Sequence, residues 1–508
     1  LQPTPLRDIP PLVNAVRQAF DSGITRPIEW RMSQLKAMVK MIQDNEEDIV
    51  EALRKDLRRP RNECVIMEVV DIINQCKYLI KHLATFMKPE PVPTLLHQWP
   101  MKFERVKQPF GVVCLISPWN FPLGLALIPL AGILAAGNTC VVKPSEISTA
   151  SCALLSALIP KYLDTFAVKV VVGAVPETTK LLEQRFDHIM YTGGAVAGRI
   201  IMAAAAKHLT PVTLELGGKC PAYVDKSANL EVTARRLVNT KLLNSGQICM
   251  CPDYVLVHEQ VRDELIEHIN QQLKRLFPGD NLQHNPDIGR IINKNHVDRL
   301  SDMLCEKHGG KVWRGGRVDK DDLFVDFTII LDPSLHSKLM TEEIFGPILP
   351  VLQVSGVQEA VKFISDRECP LAAYAFTRDK QVQDSFVLGV STGSICINDC
   401  LFQILSYGTG FGGKGHSGMG SYRGKFAFSN FTHYKPVAIQ SPSVDPSVRY
   451  PPYTNRNLIL LRMLLGGELL PWWNVSSLKV GGVALAAIIA SAVLVNQFVK
   501  VEVGISLR

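Results

Sequence analysis

The sequence predicts an α/β chain with two parallel-sheet units covered by helices, and two observations carry that prediction. From Gly111 to Leu216 strand-like apolar runs alternate with helix-like runs, and a second alternation of the same kind follows Cys249. Before either, Leu12 to Arg58 spaces its apolar residues three and four apart with charges between, the pattern of amphipathic surface helices. GVVCLIS then reads as a buried strand, SPWNFP breaks it with two prolines, LGLALIPLAGILAA reads as a helix and GNTCVVKP as the returning strand. At about 14 residues that helix is too short to cross a bilayer, so it is expected inside the protein. A helix near 149–159, strand VKVVVGA, a helix near 177–184, strand HIMYTG, a helix over 195–207 and strand TPVTLEL complete the first unit. The second takes strand DYVLVHE, helices as far as Phe277, a polar stretch, strand VDFTIIL, a helix over 357–366 and strand GSICIND. Parallel sheets of this kind place ligands at the ends of their strands.

The 508 residues exceed what one hydrophobic core organises, so two or three domains are expected. A net charge of +7, with no basic block interleaved with aromatics, argues against a nucleic-acid partner. The 12 cysteines are scattered, which fits a reducing compartment rather than a disulfide framework. Cys249/Cys251 and Cys396/Cys400 are close pairs without the spaced partners of a structural zinc site, so no metal is expected. The first twenty residues lack the apolar run of a secretion signal, and a cytosol-facing chain is the expectation.

NSGQICMCPDY raises the question of chemistry, because the residues alone leave Cys249 as nucleophile, metal ligand or packed apolar side chain. Two further strings accompany it: SPWNFP with Asn120 and TLELGGK with Glu215. Together with GQIC they resemble the aldehyde dehydrogenase superfamily, class 3, and within it the membrane-anchored fatty aldehyde dehydrogenases, over roughly Val13 to Val499. The resemblance implies an aldehyde dehydrogenase-like fold with a Rossmann-like NAD-binding domain over 1–89 and 111–216 and a catalytic domain over 217–400. It also implies a small β oligomerisation or bridging element over 90–110 and 401–445, and a homodimer.

The chemistry such a reaction needs is specific. A planar carbonyl does not readily surrender hydride, so a nucleophile must first make the carbon tetrahedral. Cys249 is the expected nucleophile, with Asn120 and the Cys249 backbone N–H as oxyanion donors. Glu215 is expected to activate the water that cleaves the resulting thioester, a role favoured by partial burial of its carboxyl. Cys251 reads as a packing residue or as a redox partner of Cys249.

For the cofactor, YTGGAVAG follows a predicted strand and opens a helix, so Gly193, Gly194, Ala195, Val196, Ala197 and Gly198 are candidates to cradle a pyrophosphate. By resemblance, Lys143 and Glu146 of VVKPSE hold the adenosine ribose, Glu343 of EEIFGP the nicotinamide ribose, and Phe345 packs against the cofactor. A carboxylate at Glu146 repels a 2′-phosphate, so NAD is expected rather than NADP. GTGFGGKG imitates a phosphate-binding loop, but glycine follows the lysine where a hydroxyl residue is required.

The C-terminal region changes character. Between Lys479 and Lys500 stand 20 mostly apolar residues, enough for a helix of about 30 Å, and 479–500 is expected to be a membrane anchor behind an amphipathic linker over 446–478. A hydrophobic helix docked on the protein is the alternative. The expected setting is the cytosolic face of the endoplasmic reticulum, ahead of the peroxisomal or mitochondrial outer membrane, with medium- to long-chain aliphatic aldehydes as substrates. Two rival readings are a cysteine thioesterase or acyl transferase without hydride transfer, and a non-catalytic membrane-tethered scaffold.

Overall fold

The structure, a computed structural model, describes residues 2–94, 98, 100–279 and 281–465. The expected anchor over 479–500 and the 466–478 part of the linker lie outside the described residues. Among the described residues no helix is long and apolar enough to cross a membrane. Those up to Pro89 and from Val106 to Lys435 form one compact unit, and those of Glu90–Arg105 and from Pro436 onward form a second.

Among the described residues the larger unit contains two large sheets and a two-stranded antiparallel ribbon of Val318–Asp319 and Phe324–Val325. The first has six strands in the order Gly418–Met419, Val212–Leu216, His188–Gly193, Val112–Ile116, Thr139–Lys143, Val168–Val170. All pair in parallel except the short edge strand, which runs antiparallel and sets Gly418 opposite Glu215. Val112–Ile116 and Thr139–Lys143 are buried at every residue, which is why they read as continuous apolar runs rather than as an alternation. One face is covered by the helix Gly124–Ala136, buried almost all round, as its unbroken apolar sequence requires.

The second sheet has seven strands, in the order Lys311–Arg314, Thr328–Leu331, Ile348–Val354, Tyr254–His258, Pro221–Val224, Ala372–Phe376, Ser394–Ile397. Only Lys311–Arg314 is antiparallel to its neighbour. Four of these strands, Pro221–Val224, Lys311–Arg314, Ile348–Val354 and Ala372–Phe376, are additions to the three read from the sequence. The smaller unit is built on Glu90–Val92, which pairs antiparallel with Lys102–Pro109 in a three-stranded sheet completed by Thr432–Ile439.

Candidate active site

The six-stranded sheet reverses its winding at Val112–Ile116: the next two strands in sequence lie on one side of it and the following two on the other. A reversal of this kind opens a crevice at the carboxyl ends of the two strands that flank it, here Val112–Ile116 and His188–Gly193. Ser117 to Asn120 leave the first of these ends, and Gly194 leaves the second to open the helix Ala195–Ala206. Beyond its chain neighbours, no atom of the described residues lies within 4 Å of where a Cβ on Gly194 would stand, whereas a Cβ on Gly193 would fall 2.3 Å from the Tyr191 hydroxyl. Val196 and Ala197 face outward, and Val196 is 75 % exposed. Gly198 is buried against Leu216 and donates its N–H to the Gly194 carbonyl at 3.1 Å. At the neighbouring strand end the buried Lys143 ammonium meets the half-exposed Glu146 carboxylate at 2.5 Å. The buried hydroxyls of Ser117 and Thr192 have no partner among the described residues. An open glycine turn at a helix N-terminus with unfilled hydroxyls nearby fits a dinucleotide, whose phosphates and ribose hydroxyls supply the missing groups.

The loop that carries Cys249 follows the helix Leu230–Leu242. Asn244, Ser245 and Gly246 take φ of 48°, 54° and 75°, consecutive left-handed residues that throw the chain sharply back. A Cβ on Gly246 would fall 2.5 Å from the Gly346 carbonyl oxygen, so only glycine fits there. Gln247 then locks the turn. Its Nε2 donates to the carbonyls of Asn244 and Arg290, both at 2.9 Å, and its Oε1 accepts from the Ile292 N–H at 3.0 Å. Its own carbonyl accepts from the side-chain amides of Asn120 and Asn244, both at 3.1 Å. Asn120 is thus tied to the loop that presents Cys249, and one amide hydrogen remains for a ligand. The chain turns again at Cys249 and Met250, with Cys251 N–H donating to the Ile248 carbonyl at 2.9 Å. Cys249 is left half-buried on a cavity wall, while Cys251 is buried in the core, its thiol 3.7 Å from the Thr240 carbonyl. Burial pushes the Cys249 thiol up, and the nearby carboxyls of Glu343 and Glu215 push the same way.

Glu215 is buried at the end of its strand, and neither carboxyl oxygen has a hydrogen-bond partner among the described residues. Burial holds this carboxyl well above its ordinary range. Glu343 lies over the Gly217–Gly218 turn just beyond it, and a Cβ on Gly217 would fall 2.1 Å from the Glu343 carboxyl. Burial, with Asp253 nearby, pushes Glu343 up to about 8 against the pull of the Gly218 N–H. Phe345 adopts φ of 50° and meets Trp119 edge-on, with ring centroids 5.3 Å apart. Lys219 holds this segment: its ammonium pairs with Asp253 and donates to the carbonyls of Leu339 and Glu342 at 2.7 and 2.9 Å.

Cys249, Glu215 and Thr192 line one cavity of about 570 Å³, whose other walls include Met67, Leu125, Ile128, Ile248, Leu371 and Phe411. The Ile66, Met67 and Val70 side chains reach it from the π-helical segment Val65–Val70, whose wider turn shifts their phase relative to the helices on either side. Lys219 stands inside TLELGGK, and Asn244 and Asp253 inside NSGQICMCPDY, but the roles of all three, and of Arg59 outside any such string, depend on contacts far away in sequence.

Residues 6–437 match the aldehyde dehydrogenase family. The chain belongs to that family. Among its relatives, aldehyde dehydrogenase family 3 member H1 of Arabidopsis thaliana is 45 % identical over 466 residues, which cover 91 % of this chain and 96 % of that protein. An aldehyde dehydrogenase of Mus musculus described as dimeric and NADP-preferring is 41 % identical, over 88 % of this chain and 98 % of its own. The substrate-bound structure of AldH from Staphylococcus aureus superposes with a TM-score of 0.87 at 36 % identity, covering 90 % of this chain and 99 % of that one. This aldehyde dehydrogenase is an oxidoreductase that converts aldehydes to carboxylic acids through a catalytic cysteine, with a nicotinamide dinucleotide as cofactor.

Proposed function

We propose that this aldehyde dehydrogenase oxidises medium- to long-chain aliphatic aldehydes with NAD, using Cys249 as nucleophile, Asn120 as oxyanion donor and Glu215 as hydrolytic base. The observation that carries the reading is the common wall of Cys249 and the unpartnered Glu215 carboxyl in a cavity otherwise lined largely by apolar side chains. The Cys249 sulfur adds to the carbonyl carbon, the C=O electron pair moves to oxygen, and the alkoxide is held by the Asn120 amide and the Cys249 N–H. Burial disfavours the thiolate, and the thiol proton passes to solvent as the C–S bond forms. When bound, the nicotinamide ring supplies the hydride acceptor. Glu215 then takes a proton from water, the water oxygen adds to the thioester carbon, and the C–S bond breaks to release the acid and the thiolate.

The assigned domains are NAD-binding over 1–89 and 111–216 and catalytic over 217–400. Lys143 and Glu146 would hold the adenosine ribose, residues 193–198 the pyrophosphate, and Glu343 with Phe345 the nicotinamide end. The carboxylate of Glu146 favours NAD, and comparing kcat/KM for NAD and NADP tests this directly, since one relative is named NADP-preferring. A homodimer is supported by that same relative, which is described as dimeric. The apolar sequence over 479–500 supports a membrane anchor, which we place in the endoplasmic reticulum with the enzyme facing the cytosol.

The chain-length reading rests on the cavity walls and on partition, because each buried methylene contributes about 0.8 kcal/mol. NADH formation from a series between hexanal and hexadecanal tests it. The expected result is a kcat/KM that rises with length by at most about fourfold per methylene. A profile that is flat or falls contradicts it, and acid formed from thioesters without NADH from any aldehyde would favour a thioesterase.

A further inference from the structure

The geometry points to Arg59 as a positioning residue that sets the oxyanion donor Asn120 against the Cys249 loop. This rests on the role proposed above for Asn120. Arg59 follows Arg58, whose left-handed φ of 46° ends the helix Glu46–Leu57 and directs the next residue inward. Its side chain is fully buried and each branch of its guanidinium is committed. Nη2 donates to the backbone carbonyl of Asn120, Nε donates to Asn244 Oδ1 at 3.1 Å, and Nη1 pairs with Glu68. The guanidinium also lies 4.6 Å from the centre of the Phe121 ring.

The partners of this cation close a circuit around the reacting groups. Asn244 Nδ2 donates to the same Asn120 carbonyl at 2.9 Å and to the Gln247 carbonyl at 3.1 Å, and Asn120 Nδ2 donates to that Gln247 carbonyl. The second oxygen of Glu68 accepts from the N–H groups of Leu123 and Gly124 at 2.9 and 2.8 Å, fixing the start of the helix that follows Asn120. The backbone of Asn120 is therefore held by two side chains at its carbonyl, and the chain beyond it by the carboxylate that neutralises the first of them. A buried ion pair is a costly way to stabilise a fold, because desolvation offsets most of its attraction. A planar fork with fixed branch directions does supply what an oxyanion donor needs, which is a defined place. Lysine at this position would keep the charge and lose the fork.

The test uses cofactor-free hydrolysis of an aryl ester, which needs the thiolate and the oxyanion site but not hydride transfer, in a double-mutant cycle between Arg59→Lys and Asn120→Ala. Thermal unfolding of each full-length variant checks the fold. The expected result is a loss of about tenfold to a hundredfold in acylation rate for Arg59→Lys, shrinking to about twofold or less in the Asn120→Ala background. Asn244→Ala leaves the ion pair in place, serves as a second probe if Arg59→Lys does not fold, and is expected to follow the same pattern. Equal losses in both backgrounds, or no loss with the wild-type Asn120, overturn the positioning role while leaving Asn120 in place. An Asn120→Ala variant with unchanged acylation overturns the Asn120 assignment and this inference with it.

Discussion

The side-chain amide of Asn120 donates to the backbone carbonyl of Gln247 at 3.1 Å, so the residue that would hold the oxyanion is bonded to the turn that presents Cys249. A substitution at either end of this bond therefore reaches both groups.

Asn120→Ala removes one of two oxyanion donors and one tether of the loop. Its kcat is expected to fall about 10²- to 10³-fold, with a smaller change in KM for aldehyde, in steady-state NADH assays. An unchanged kcat would show that the oxyanion is held elsewhere.

Gln247→Leu strips three side-chain hydrogen bonds and leaves the Ile292 N–H and the Arg290 carbonyl buried without their partner, while the Asn244 carbonyl keeps the residue 247 backbone N–H. Each buried unsatisfied group costs about 1–3 kcal/mol, so chemical denaturation should show a loss of about 2 kcal/mol or more. Activity is expected to fall further than the unfolded fraction explains.

Glu215 links activity to pH. Burial raises its carboxyl well above the ordinary range, so it becomes a base only as pH rises past that range, and thioester hydrolysis in single-turnover experiments is expected to accelerate with rising pH. Glu215→Gln should stop after about one equivalent of NADH per site and lose that pH dependence. The stability effect has a definite sign. A carboxyl raised in the folded state contributes its stability below the unfolded value and loses it as pH rises through the folded one. Glu215→Gln is therefore expected to unfold at a higher temperature than the wild type at alkaline pH, and a lower midpoint there would contradict the burial account.

Glu343 offers a second titration, pushed up to about 8 mainly by burial. If its carboxylate accepts from the nicotinamide ribose, the Kd for NAD falls as pH rises through about 8, and Glu343→Gln shows a flat, weaker affinity. Fluorescence titration of NAD without aldehyde reads this directly, and the same slope in both proteins would remove Glu343 from the cofactor site.

Much of this arrangement was legible in the sequence because parallel strands buried on both faces are short apolar runs with abrupt ends. HIMYTG coincides with His188–Gly193 and the helix read over 195–207 with Ala195–Ala206. SPWNFP and TLELGGK stood out because prolines and glycines interrupt such runs where a sheet opens. RKDLRRPR did not, since a charged run at helical spacing reads as a solvated face. Arg59 is nonetheless buried, because Glu68, Asn120 and Asn244 meet it from three other segments. The left-handed turn at Asn244 and Ser245 was equally hidden, as neither residue is a glycine and the conformation is held by Gln247 and Glu63 contacts made in the folded chain.

The most direct measurement is the site of acylation during turnover. Acid quenching of the enzyme with NAD and a long-chain aldehyde, followed by digestion and mass spectrometry, should place the acyl group on the peptide containing Cys249, with more of it in Glu215→Gln. Reduction of the cofactor with that peptide unmodified, or with the acyl group on another residue, would contradict the central role given to Cys249.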